Sequence, residues 1–119
     1  MSDQKWNTEL VSAPRMTGDA AIAAVRGEID LHNSPDMRSA IFDLLSKTVV
    51  KRLILNLSQV PYMDSSAIAV LVEALQKLRP TGGRVMLVDL QPRVKGLLQI
   101  ARLDSIFILA DSEQQALTM

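Results

Sequence analysis

The sequence predicts a small α/β domain, with a mixed β-sheet of four or five strands and about four helices packed mainly on one side. Strand-like and helix-like segments alternate along the chain, which favours an α/β fold. Two short segments, RLILNLS and RVMLVDL, are apolar on both faces, as central strands covered on both sides are. The length of 119 residues fits one domain. We expect that domain to span residues 1–119, with a core at about 8–117.

The first part of the chain predicts an antiparallel hairpin. NTELVSAPRM, residues 7–16, is a weak first strand, and its Pro14 suits the edge of a sheet. TGD at 17–19 is typical of a turn, and AAIAAVRGEI at 20–29 resembles a second strand. Because so short a turn joins the two strands, they are expected to run antiparallel.

A helix is predicted next. Ser34 suits the N-cap, Pro35 suits the first helical position, and Asp36 suits the positive end of the helix dipole. Apolar residues then recur at helical spacing: Met37, Ile41, Leu44 and Leu45.

The remaining elements alternate between strand and helix. RLILNLS predicts a strand, and a helix follows from Ser65 or Ser66 to about Leu78, ended by Pro80 and a glycine pair. RVMLVDL predicts another strand, followed by a helix that begins near Pro92. SIFIL predicts a last strand, and SEQQAL a terminal helix capped by Asp111 or Ser112. This alternation predicts parallel strands with right-handed crossovers.

Composition argues against several classes of function. The 13 basic and 13 acidic side chains cancel, so binding to nucleic acid is not expected. The absence of cysteine removes disulfides and zinc–thiolate sites and suits a cytoplasmic location. The single histidine, His32, cannot form a multi-histidine metal site, and we expect neither a metal nor a cofactor. No apolar run reaches the roughly 18 residues that span a bilayer, so membrane insertion is not expected.

The helix after Asp64 has two predicted faces. The face expected to lie on the sheet carries Ile68, Leu71, Val72 and Leu75. The face expected to point outward carries Ser66, Ala69, Val70, Glu73 and Lys77. A small apolar patch of Ala69 and Val70 beside serines is typical of a docking site for another protein, although small outward residues also occur on helices that bind nothing.

The start of this helix also suggests a modification site. Asp64 or Ser65 can accept a hydrogen bond from the unpaired N–H groups of the first turn, which is the ordinary role of a cap. Those N–H groups and the helix dipole also tolerate a phosphate. A serine placed there can therefore gain about two negative charges while the fold stays intact.

Taken together, four segments resemble the STAS family, and especially bacterial anti-sigma-factor antagonists. The segments are RGEID at 26–30, LILNLSQVPYMDSSAIAVLVEAL at 53–75, GGRVMLVDLQPRVKGLLQIARLDSIFIL at 82–109 and SEQQAL at 112–117. MDSS is the most specific element. The resemblance implies the STAS fold over nearly the whole chain.

The resemblance also implies a phosphoswitch. In that family the unphosphorylated antagonist binds an anti-sigma factor that is also an ATP-dependent serine kinase, and this frees a sigma factor. Phosphorylation of the serine after the motif aspartate, here Ser65, ends the binding, and a serine phosphatase resets it. Asp64, Ser66 and Asp30 match positions at the contact surface, to which the helix pattern adds Ala69, Val70 and Glu73. A monomer or weak dimer is expected.

One residue departs from the family pattern, and other functions remain open. Ala67 stands where the family often has glycine, which leaves the switch intact but weakens any transfer of contact geometry. The main alternative is a non-switching STAS subunit of a lipid-transport or stress-sensing complex. A serine hydrolase could use Ser65 and His32, but MDSSA lacks the G-x-S-x-G elbow, so we expect no enzyme activity.

Overall fold

The chain folds around one mixed sheet, and this confirms the predicted class. A computed structural model describes residues 10–119, which form a five-stranded sheet in the order β1-β2-β3-β4-β5. The strands are β1 (Arg15–Thr17), β2 (Ala20–Arg26), β3 (Arg52–Gln59), β4 (Arg84–Val88) and β5 (Ile108–Ala110). The helices are α1 (Ser34–Lys47), α2 (Ser65–Leu78), α3 (Pro92–Ile100) and α4 (Glu113–Leu117). β1 and β2 are antiparallel, and the other neighbouring strands are parallel.

The N-terminal hairpin is present, with a shorter first strand than predicted. Residues 7–9 of the predicted strand lie outside the described residues. Val11 makes an isolated antiparallel bridge to Val25, and regular pairing begins only after Pro14. Gly18 turns the chain with φ of 60°, a left-handed conformation that favours glycine.

The central strands are covered on both faces, as their apolar pattern predicts. In β3, Leu53, Leu55 and Leu57 belong to the large core that also contains buried residues of α1, α2 and α3. Ile54 points the other way and packs in a second cluster with Ala116 of α4. Three of the four helices in the described chain therefore cover one face, and α4 covers the other.

The start of α1 differs by one residue from the prediction. Ser34 is the first helical residue and is buried, whereas Asn33 occupies the N-cap position. The Asn33 side chain does not cap the helix, because its Oδ1 accepts the N–H of Asp30 at 2.8 Å instead. Pro35 is consequently the second helical residue and not the first as predicted, and Asp36 lies in the first turn.

Polar contacts fix α4 on the second face of the sheet. Ser112 is its N-cap, with the Ser112 Oγ accepting the N–H of Gln115 at 3.0 Å, which decides between the two predicted caps. Glu113 accepts a hydrogen bond from the Asn56 side chain at 2.8 Å and pairs with Arg15 at 2.5 Å. The hydrogen bond from Asn56, followed by that from Arg15, lowers the pKa of the Glu113 carboxyl.

Glu113→Gln should therefore destabilise the fold near neutral pH, by about 1 kcal/mol, the usual size of one such hydrogen bond. Because the pKa of Glu113 is lower in the folded protein than its ordinary value, the charged form stabilises the fold at pH values above that ordinary value. The difference between the two proteins should shrink as acid protonates Glu113. Urea unfolding at several pH values measures this, with the exposed Gln114→Ala as control. A difference that stays constant down to about pH 3 would contradict the role of the charge.

Candidate docking and phosphorylation site

Two loops at the carboxyl ends of β2 and β3 are joined by backbone hydrogen bonds. Ile29 donates its N–H to the Tyr62 carbonyl at 3.0 Å, and Asp64 donates its N–H to the Ile29 carbonyl at 3.0 Å. Ile29 and Met63 form a parallel bridge, and both side chains are buried. The pairing of the two strands thus continues into their loops, and it brings the GEID and MDSS segments together.

Asp64 is the N-cap of α2. Its Oδ1 accepts the N–H of Ser66 at 2.9 Å, the hydroxyl of Ser66 at 2.5 Å and the N–H of Ala67 at 3.4 Å. The Ser66 hydroxyl is the main cause of the lowered pKa of the Asp64 carboxyl, and the amides of Ser66, Ala67 and Leu31 add to it. Of the two caps that the sequence allows, the structure has Asp64.

Ser65 and Ser66 differ in their availability. Ser65 is the first residue of α2 and is exposed, and within residues 10–119 its hydroxyl makes no hydrogen bond. Ser66 is half-buried, and its hydroxyl is bound to Asp64. Of these two adjacent serines, Ser65 is the more exposed and is the one whose hydroxyl has no hydrogen bond in the described residues.

Asp30 lies on the loop that pairs with the MDSS segment. Its carbonyl accepts the N–H of Ser34 at 2.8 Å, so the loop and the start of α1 are tied together. Its Oδ1 accepts the N–H of His32 at 2.8 Å and lies 3.5 Å from Nδ1 of the same residue. The Asp30 side chain is partly exposed, so it is open to a partner on this side of the domain.

The predicted orientation of α2 is wrong at Val70. Val70 is buried, with 4% exposure, whereas Ile68 and Val72, predicted to lie on the sheet, are only half-buried. The buried residues of α2 are Ala67, Val70, Leu71, Ala74, Leu75 and Leu78. The cause is the neighbouring helix, because Glu73 pairs with Arg38 of α1 at 3.1 Å and Val70 lies one turn earlier on that side. Ala69 is exposed, as predicted.

The structure adds one residue that the sequence reasoning missed. Leu31 is 73% exposed and follows Asp30 on the loop, where its N–H contributes to the low pKa of Asp64. Single exposed apolar side chains are common on protein surfaces, so Leu31 is a candidate contact residue because of its place between Asp30 and the start of α2. The feature of the sequence that could have identified Leu31 is its position directly after the GEID segment.

The amides at the start of α2 are less free than the sequence suggested. The phosphate argument relied on unpaired N–H groups in the first turn, but Ser66 and Ala67 already donate theirs to Asp64. The exposed hydroxyl of Ser65 therefore lies next to the Asp64 carboxylate, which already binds the amides of Ser66 and Ala67.

We also searched the described part of the chain for a metal site, for a membrane-spanning helix and for a contact between His32 and the serines. No group of three or more His, Cys, Asp or Glu residues there could hold a metal ion. No helix there is long and apolar enough to cross a membrane. His32 contacts Asp30, and it forms no hydrogen bond with either serine of the MDSS segment in residues 10–119.

Comparison with known proteins decides the family. The family model described as STAS domain matches residues 13–116. The chain belongs to the STAS family. Its N-terminal hairpin, its parallel strands and the MDSS segment at the start of α2 all lie within the matched range.

Similar proteins include antagonists of anti-sigma factors. An anti-sigma F factor antagonist from Paenibacillus polymyxa is 29% identical over 97 residues, which is 82% of this chain and 83% of that protein. The anti-sigma-B factor antagonist of Bacillus subtilis is 33% identical over 90 residues, covering 75% of this chain and 81% of that protein. The unphosphorylated form of the Bacillus anti-sigma factor antagonist SpoIIAA has a TM-score of 0.68 at 20% identity, covering 89% of this chain and 93% of that one. SpoIIAA therefore shares the fold of this STAS domain.

Asp64→Ala should lower the melting temperature, because it removes the side-chain acceptor of the Ser66 and Ala67 amides. A lost N-cap in a domain of this size corresponds to a shift of roughly 3–6 °C. Ser65→Ala is the matched control and should change the melting temperature little, since its hydroxyl has no partner in the described chain. Thermal unfolding followed by circular dichroism makes the comparison. Equal shifts for both variants would show that Asp64 is not the working cap.

Proposed function

We propose that this STAS domain is an anti-sigma-factor antagonist that acts by binding and is switched at Ser65. The unphosphorylated form binds an anti-sigma factor that is also a serine kinase, and a sigma factor is thereby released in the cytoplasm. The kinase transfers the γ-phosphoryl group of ATP to the Ser65 Oγ, ADP leaves, and the hydroxyl proton passes to a base of the kinase. A serine phosphatase restores the unmodified form.

The observation that carries this proposal is the exposed, unpartnered hydroxyl of Ser65 at the first position of α2. A kinase requires a hydroxyl that can reach its active site, and Ser65 meets that requirement without local unfolding. The support from relatives is that two similar proteins, 29% and 33% identical to this chain over 97 and 90 aligned residues, are named antagonists of anti-sigma factors. The fold is also shared with SpoIIAA, which has been solved in unphosphorylated and phosphorylated forms.

The proposed docking surface surrounds Ser65. It comprises Asp30 and Leu31 on the loop, Asp64 and Ser66 at the start of α2, and Ala69 one turn further on. Glu73, which is partly exposed and paired with Arg38, borders this surface. Val70, placed there by the sequence reasoning, is excluded because it is buried.

Phosphorylation changes the charge of this surface. A phosphate adds about −1.5 to −2 charges near pH 7, beside the ionised Asp64. The partner's surface must fit the small neutral side chain of Ser65 and then meets both repulsion and added bulk. Because the phosphate adds to an exposed side chain, the core keeps its packing and only the surface changes.

Incubation with the cognate kinase and ATP should place a single phosphate on Ser65. Peptide mass spectrometry locates it, and Ser65→Ala should abolish the modification. A phosphate found on Ser66 or elsewhere would contradict the assignment. No modification by a kinase that nevertheless binds the chain would favour a fixed STAS subunit.

Substitution at Ser65 should separate the two states of the switch. Ser65→Ala should bind the anti-sigma factor whether or not ATP is present, and Ser65→Asp should bind at least about tenfold more weakly, a difference of about 1.4 kcal/mol. Isothermal calorimetry with the purified partner measures both affinities. The repulsion mechanism is wrong if the two variants bind equally.

Adjacent residues of α2 offer a matched test of the surface. Ala69→Glu adds charge at an exposed position, so it should weaken partner binding while changing the free energy of unfolding by less than about 0.5 kcal/mol. Val70→Glu buries that charge in the core and should cost about 3 kcal/mol or more in stability. Chemical denaturation and calorimetry together distinguish these effects. A destabilised Ala69→Glu variant would show that Ala69 is not on a free surface.

A further inference from the structure

The helix end beside Ser65 is already occupied by a carboxylate. Asp64 Oδ1 accepts the N–H of Ser66 at 2.9 Å, and it shares the N–H of Ala67, at 3.4 Å, with the Asp64 carbonyl, at 3.2 Å. Amides at a helix N-terminus are the groups that ordinarily bind a phosphate. A phosphate on Ser65 can therefore bind the Ser66 amide only by displacing the Asp64 carboxylate.

Ser66 strengthens the hold on Asp64. Its hydroxyl donates to the same Oδ1 at 2.5 Å, and a hydrogen bond to a charged acceptor is the stronger kind. Without this hydroxyl, the carboxylate would keep its two amide contacts in α2, one of them long at 3.4 Å. Ser66 is half-buried and fixed on the helix, so it presents this donor whatever the state of Ser65.

We propose that Ser66 is a positioning residue of the switch, whose hydroxyl locks the Asp64 carboxylate onto the first amides of α2 and so keeps a phosphate on Ser65 outside the helix end. This inference rests on the proposed function, because it describes how the phosphorylated form of Ser65 is arranged. It assigns distinct roles to the two adjacent serines. Ser65 carries the group, and Ser66 determines where that group lies.

The consequence is that the phosphate stays on the docking surface. If the phosphate were bound at the N-terminus of α2, the amides there would partly neutralise its charge, and it would face away from a partner. Held outside, it faces solvent next to Asp64 and shares this end of the domain with Asp30 and His32. It is then exposed both to the anti-sigma factor that it repels and to the phosphatase that removes it.

The experiment uses the full chain with phosphoserine placed at position 65 during translation, so that no kinase is needed. Phosphorus and amide NMR spectra are recorded from about pH 5 to 8, through the second phosphate ionisation near pH 6. In the otherwise unaltered chain, the Ser66 and Ala67 amide protons should not follow the phosphate titration. In Ser66→Ala the amide proton of residue 66 should move downfield as the phosphate ionises. The pKa of the phosphate should fall by about 0.5, the scale of the effect of a helix N-terminus on an anion.

Ser66→Thr is the conservative variant, because it keeps a hydroxyl at the same place, and it should restore the behaviour of the unaltered chain. The unphosphorylated proteins report any change of fold caused by the substitutions alone. The proposal is overturned if the Ser66 amide already titrates with the phosphate in the unaltered chain. It is equally overturned if Ser66→Ala leaves both readouts unchanged. Neither result depends on an anti-sigma factor. A failure of the role proposed for Ser66 can therefore be distinguished from a failure of the proposed function.

Discussion

The Asp64 cap, with the backbone pairing behind it, is the interaction on which the site depends. The Asp64 N–H binds the Ile29 carbonyl at 3.0 Å, and its side chain binds the first turn of α2. One residue thus joins the loop after β2, the loop after β3 and the helix. Ser65 follows directly, so its position is fixed by contacts in which its own side chain takes no part.

This arrangement separates stability from signalling. The groups that hold the loop and the helix together are backbone amides, the Asp64 carboxylate and the Ser66 hydroxyl. The group proposed to change is the Ser65 hydroxyl, which contributes no hydrogen bond within the described residues. A modification there can therefore alter the surface charge without removing a stabilising contact, which suits the proposed switch.

The sequence was sufficient to predict the fold and the position of the serines, but it could not predict which residues α2 exposes. Central strands such as RLILNLS are recognisable because burial on both faces leaves a continuous apolar run. Val70 was misplaced because periodicity describes a helix alone, whereas its burial comes from contact between α1 and α2, seen in the Arg38–Glu73 pair. Leu31 was missed because an apolar residue in a loop carries no periodic signal, and its exposure follows only from the tertiary structure.

Amide hydrogen exchange tests the central claim most directly. If the paired loops and the cap form a rigid frame, the Ile29 and Asp64 amides should be protected nearly as strongly as those of β3, and a negative side chain at position 65 should leave their protection unchanged. Exchange of these two amides at the rate of an unstructured peptide, or loss of their protection when Ser65 becomes charged, would contradict the account.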